Sequence, residues 1–129
     1  MVQDIEEYKS IKKYNFKKGI WGEMQTCKYL EKIGYRVIER NYRCHFGEID
    51  IIAFDQNVLV FIEVKMRTTK LYGQGLEAIS NHKRNTIKQV ARYFLHTNWL
   101  LKNSVIRFDV VDILYYKGIY YGKVIKNAF

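Results

Sequence analysis

"GEIDIIAFDQNVLVFIEVKMR", residues 47–67, decides the fold. Two runs rich in isoleucine, valine and phenylalanine flank Asp55-Gln56-Asn57, a polar break suited to a tight hairpin. Most of the stretch reads as sheet core, yet Glu48, Asp50, Glu63 and Lys65 stand inside it. Side chains alternate along a strand. Glu48, Asp50 and Ile52 therefore point one way, and Ile49, Ile51 and Ala53 the other. On the next strand Leu59, Phe61, Glu63 and Lys65 share a face, opposite Val60, Ile62 and Val64. A two-residue loop at Gln56-Asn57 sets Asp55 opposite Val58, Asp50 opposite Glu63 and Glu48 opposite Lys65. A three-residue loop would shift that register by one.

Opposed carboxylates repel by up to about 1 kcal/mol, and burial makes the cost larger. A hard divalent cation offsets it, because Mg²⁺ takes carboxylate oxygens and keeps waters for a substrate phosphate. The plainer alternative is a surface hairpin with cross-strand ion pairs. For Glu48 alone that alternative is preferred, since exposed pairs are common and weak. Asp50, Glu63 and Lys65 together read as a site.

Outward from the hairpin, the spacing predicts a helix over Lys17–Ile33, with Ile20, Met24, Cys27 and Leu30 on one face and Gly34 as its C′ residue. Glu23 sits angularly inside that stripe. A lone acid there is usually a solvated border residue. If the helix covers the sheet face that carries Asp50 and Glu63, Glu23 completes an acidic cluster, and Gly22 lets the backbone approach closely. Strands are predicted at Tyr35–Cys44, Glu48–Phe54 and Val58–Lys65, then a glycine-bearing loop over Met66–Gly75. A helical pattern covers Leu76–Trp99, interrupted near Ser80-Asn81, with Ile87, Val90, Ala91, Phe94 and Leu95 on its face. Final strands fit Val105–Tyr116 and Ile119–Ile125. Residues 1–16 are polar and lysine-rich, an arm or short helix, and 17–129 form one domain. The resulting α-β-β-β-α-β-β order packs as one mixed α/β sheet flanked by helices.

The chain has 129 residues, enough for a single core. Its net charge of +9 points to an anionic partner, nucleic acid foremost. Two cysteines without metal-type spacing suit reduced thiols. The first residues lack the apolar segment of a secretory signal, and no run approaches the roughly 20 apolar residues of a membrane helix. The expectation is a cytoplasmic protein with no membrane partner. His45, His82 and His96 lack zinc-site spacing and take no ligand role. Asp109 and Asp112 read as structural pairs. Tyr115, Tyr116, Tyr120 and Tyr121 read as sheet packing or a dimer edge, which would make a homodimer, rather than as base-stacking residues.

The arrangement of Glu23, Asp50 and Glu63-Val64-Lys65 resembles the PD-(D/E)xK nuclease superfamily. Ile49 replaces the proline of the motif's name, as in many members. A closer resemblance is to the YraN-like family, small bacterial endonuclease-like proteins. It runs from about Gly19 to Phe129 through GIWGEMQTCKYLEKIGYRVIERNYR, GEIDIIAFD, LVFIEVKMR, the Lys83 helix, RFDVVDI and KNAF. The first half is also similar to archaeal Holliday-junction resolvases. The resemblance implies a restriction-endonuclease-like fold and phosphodiester hydrolysis with Mg²⁺ or Mn²⁺. Asp50, Glu63 and the Val64 carbonyl would hold the metal, with Glu23 direct or through water. Lys65 would orient the attacking water or stabilise charge on phosphate. Among the acids its ammonium is stabilised, so no simple general-base role is assigned.

Nucleic acid, DNA before RNA, then needs cations near the metal. Arg67, Thr68, Thr69 and Lys70 follow the motif. Lys83 shares the helical face of Ile87 and Val90 and would point toward the site. Asn81-His82-Lys83-Arg84 could grip a phosphate at a helix start, and Arg40, Asn41 and Arg43 precede the acidic strand. Singly, each cation reads as a solvated surface residue; as a set they form a basic rim. The competing readings are a nucleic-acid-binding module that acts only with a partner, and an adaptor for an acidic protein.

Overall fold

The computed structural model describes residues 9–12, 20–68, 79–116 and 119–129; side chains are described only for residues 24–66, 79–114 and 121–129. Six strands form one sheet in the order β1-β6-β5-β4-β3-β2. The strands are β1 (Lys9–Lys12), β2 (Tyr35–Cys44), β3 (Gly47–Asp55), β4 (Val58–Thr68), β5 (Val105–Tyr116) and β6 (Ile119–Ile125). Helix α1 (Ile20–Lys32) precedes β2, and α2 (Asn81–Thr97) joins β4 to β5. This is the expected restriction-endonuclease-like α/β arrangement.

Register follows from the β3–β4 turn. Gln56 takes a φ of +56°, and Asp55 pairs with Val58, as the two-residue loop requires. Pairing continues to Ile51 opposite Ile62. β4 and β5 run parallel, and parallel strands need a crossover of a dozen residues or more, which the segment containing α2 supplies. Ser80 caps α2: its hydroxyl accepts from the Lys83 amide at 3.1 Å, which explains the break near Ser80-Asn81.

Each helix covers one face. Cys27, Tyr29 and Leu30 of α1 pack on Ile51, Ala53, Val60, Ile62, Val111 and Ile113. Ile87, Val90, Ala91 and Phe94 of α2 pack on Ile52, Leu59 and Phe61. The α1 stripe is rotated from its expected position. Met24 is 39% exposed, while Thr26 and Tyr29 are buried. Gly34 takes a φ of +107°, the left-handed C′ conformation expected of it.

Two further expectations are corrected. Within the polar segment 1–16, Lys9–Lys12 is a strand rather than a helix, and it pairs antiparallel with β6. Tyr120 and Tyr121 are thereby matched to Lys12 and Ser10, so β6 is interior to the sheet, in line with the sheet-packing reading of these tyrosines. The expected loop from Met66 begins later, because β4 continues to Thr68 beside β5; residues 69–78 lie outside those described.

Candidate active site

Asp50 and Glu63 occur where the β3–β4 ladder stops. The last described pair is Ile51 with Ile62. One residue further, the Asp50 carboxylate replaces a backbone partner: its Oδ2 accepts from the Val64 amide at 2.8 Å. The strand also turns over there. Residues two apart on a strand should share a face, yet Ile51 packs under α1 and Ile49 packs under α2. The neighbouring β2 accommodates the turn at Asn41, whose φ is +55°, between the pairs Arg40–Ile51 and Tyr42–Ile49. Asparagine tolerates that conformation better than most residues. The twist overturns the simple alternation expected for Ile49.

Glu63 lies on the α2 face of β4 and is only 6% exposed. Burial, then the charge of Asp50, pushes its pKa up to about 7; Lys83 and Lys65 pull the other way, and a hydrogen bond with Asp50 adds to the rise. Asp50 is thus a neighbour of Glu63, its carboxylate held at the amide of the following residue, Val64. Lys83, from the first turn of α2, places its Nζ 3.6 Å from Glu63 Oε2. Its expected orientation toward the site is observed. Lys65 pairs in register with Asp112 of β5, and Asp112 with Lys123 of β6. Asp112 is buried, so the row beside Glu63 is Lys-Asp-Lys across three strands.

The remaining expected residues divide. Glu23 is in the first turn of α1, but its side chain lies outside those described. The body of α1 covers the face opposite α2, so the condition set for Glu23, a helix lying on the Glu63 face, is not how α1 packs. Arg43 pairs with Glu48 at 3.1 Å, both well exposed, so Glu48 makes a surface ion pair, but across β2–β3 rather than with Lys65. Arg40 is exposed. Arg84 turns away from a phosphate site: its Nε donates to the Ile79 carbonyl at 3.1 Å and its guanidinium lies 5.9 Å from the Phe129 ring centre. Arg67 is in register with Leu114, with its side chain outside those described, and Lys70 lies wholly outside.

A second polar cluster is structural. Asp109, fully buried, accepts from Tyr35 at 2.7 Å, from Arg107 through both carboxylate oxygens at 2.8 Å, and from the Asn127 amide at 2.9 Å. Arg107 also reaches Asp55 at 2.8 Å. That bond holds Asp55 below its ordinary pKa, and Asp109, ahead of Asp55, raises that of Arg107. Burial, with the Asp109 bond next, raises Tyr35. Asp55 lies five residues along β3 from Asp50, about 17 Å at strand rise, so this network stands apart from the candidate site. The sequence predicts a structural pair for Asp109 but not its three partners, Tyr35, Arg107 and Asn127, of which only Arg107 is near it in the chain.

Among the described residues no three His, Cys, Asp or Glu side chains form a metal-sized group, and no helix is long and apolar enough to cross a membrane. Neither Cys27 nor Cys44 is in a disulfide.

Comparison with known proteins places residues 22–113 on the model of the uncharacterised protein family UPF0102. A UPF0102 protein of Clostridium perfringens (strain SM101 / Type A) is 40% identical over 121 residues, 92% of this chain and 98% of its own. A UPF0102 protein of Clostridium botulinum (strain ATCC 19397 / Type A) is 42% identical over 113 residues, 86% of this chain and 92% of its own.

Proposed function

The chain belongs to the uncharacterised protein family UPF0102, and we propose that it is a metal-dependent endonuclease hydrolysing DNA phosphodiester bonds, selective for branched, flapped or single-stranded forms. The observation that carries this reading is the meeting of Asp50 and Glu63 in a largely buried place. Burial and the neighbouring Asp50 charge push Glu63 up to about 7, so ionising both carboxyl groups is unfavourable without a cation.

The donor set fits a hard divalent ion. Asp50 and Glu63 would hold it, with the Val64 carbonyl, and the ion would relieve their repulsion. When bound, Mg²⁺ or Mn²⁺ supplies polarisation of the scissile phosphate and a water of lowered pKa. The chain's own groups do the rest. The Val64 amide fixes Asp50, so the carboxylate is preorganised. Lys83 keeps positive charge at the mouth of the pair. Lys65, on the same strand two residues beyond Glu63, orients the attacking water or stabilises charge developing on phosphate. The net charge of +9 favours a polyanion.

A second reading is a nucleic-acid-binding module that acts only with a partner. It is favoured by the packing of α1 on the sheet face opposite α2, away from Glu63.

The test is incubation of the protein with single-stranded, duplex, flapped and four-way DNA and Mg²⁺ or Mn²⁺, beside Asp50→Ala and Lys65→Ala. Cleavage by the wild type that both substitutions abolish supports the nuclease. Cleavage that persists in both removes the site. Salt-sensitive binding without cleavage under either ion establishes the second reading.

A further inference from the structure

The β2–β3 turn, residues 45 and 46, leans on the C-terminal half of α2. Gly47 makes the approach possible: a Cβ there would lie 2.8 Å from Thr86 Cγ2, and its φ is +147°. The seating brings three rings together. His45 and Phe46 lie 4.1 Å apart between ring centres, His45 and Tyr93 5.2 Å edge to face, and Phe46 and Tyr93 6.2 Å. Phe46 is nevertheless 45% exposed. It flanks an open cleft of about 330 Å³, completed by Gln89, Arg92, Tyr93 and His96.

That lining suits one kind of ligand. Exposed aromatic faces take a flat π system, the Gln89 amide offers a donor and an acceptor to a base edge, and Arg92 and His96 suit a phosphate. The volume is at the lower end for small-molecule sites. Phe46 precedes Asp50 by four residues, roughly 13 Å along β3. The cleft and the carboxylates also share α2, which presents Lys83 at one end and Tyr93 and His96 at the other.

We propose that the cleft of Phe46, Tyr93, Gln89, Arg92 and His96 binds an unpaired nucleotide of the substrate strand, close to the bond cut at Asp50 and Glu63. This rests on the nuclease reading and deepens it: the substrate has a single-stranded segment, and Phe46 is the base-stacking residue that selects it. A base inside a duplex has both faces covered and cannot use the ring, so discrimination between single and double strands follows.

The experiment measures binding of a labelled single-stranded oligonucleotide and a blunt duplex of equal length, in EDTA, to wild type, Phe46→Ala, Phe46→Trp and Arg92→Ala. Phe46→Ala weakens single-strand binding by about ten-fold or more, the effect of one lost stacking contact, and changes duplex binding less than two-fold. Its salt dependence stays that of the wild type, and Phe46→Trp restores the affinity. Arg92→Ala weakens both and lowers the salt slope by about one. Unchanged single-strand affinity of Phe46→Ala, or equal loss on both probes, overturns the cleft and leaves the nuclease standing. If the wild type binds neither probe, the cleft falls, and the nuclease reading is decided by the cleavage assay on flapped and four-way DNA.

Discussion

Asp50 Oδ2 accepts a 2.8 Å hydrogen bond from the amide of Val64, the residue between Glu63 and Lys65. One bond thus joins both halves of the candidate site. It compensates β4 for a ladder that ends at Ile62, and it holds one carboxylate against the other. Asp50→Asn keeps an acceptor for the Val64 amide, whereas Asp50→Ala strands it. We expect Asp50→Ala to lose about 1–3 kcal/mol of stability and Asp50→Asn much less. Urea denaturation separates them; equal losses would show that the bond is not what positions Asp50.

Glu63 makes metal-free stability depend on pH. Its folded pKa, about 7, lies above the ordinary glutamate value of 4.5. The folded state therefore holds this proton more tightly than the unfolded chain. The contribution is full below about pH 4.5 and is lost as pH rises through about 7, to the extent of about 3 kcal/mol. Glu63→Gln removes it. In EDTA the wild type should become less stable relative to Glu63→Gln between pH 5 and pH 8. A difference between the two proteins that is constant over that range contradicts the burial of an acid pair.

Gly47 meets two demands at once, a left-handed φ and a close approach to Thr86. Gly47→Ala should cost roughly 1–3 kcal/mol. Pairing it with Thr86→Ser removes the methyl group but leaves the backbone strain, so stability returns only in part. Full recovery in the double variant would assign the whole effect to the contact.

Asp109 should matter for folding and not for the ion. It accepts from Tyr35, Arg107 and the Asn127 amide while fully buried. Asp109→Ala leaves the Arg107 guanidinium short of a partner and should cost about 3–5 kcal/mol. Divalent-ion affinity of the folded fraction should be unchanged; a parallel loss of both would tie the two clusters together.

The hairpin explains why so much of this arrangement was legible beforehand. A period of two, a polar break and a crossover helix determine β3, β4, α2 and β5, and hence the opposition of Asp50 to Glu63. Alternation failed at Ile49, because the strand turns over at Asp50 against a left-handed Asn41, and no period-two pattern carries a local twist. Met24 misled because Thr26 and Gln25, polar residues, occupy the buried side of α1. β1 escaped notice because Lys9–Lys12 has no apolar alternation and is extended only through its pairing with β6. Charge alone groups Arg84 and Arg43 as phosphate contacts, but each has a protein partner, the Ile79 carbonyl and Glu48. The ring cluster of His45, Phe46 and Tyr93 joins residues nearly fifty positions apart, which spacing cannot reveal.

The most direct measurement is Mn²⁺ binding, followed by the loss of the free-ion electron paramagnetic resonance signal as protein is added. We expect saturable binding to the wild type, weakened at least ten-fold in both Asp50→Asn and Glu63→Gln. Equal affinity in all three proteins would place any ion elsewhere and contradict the site.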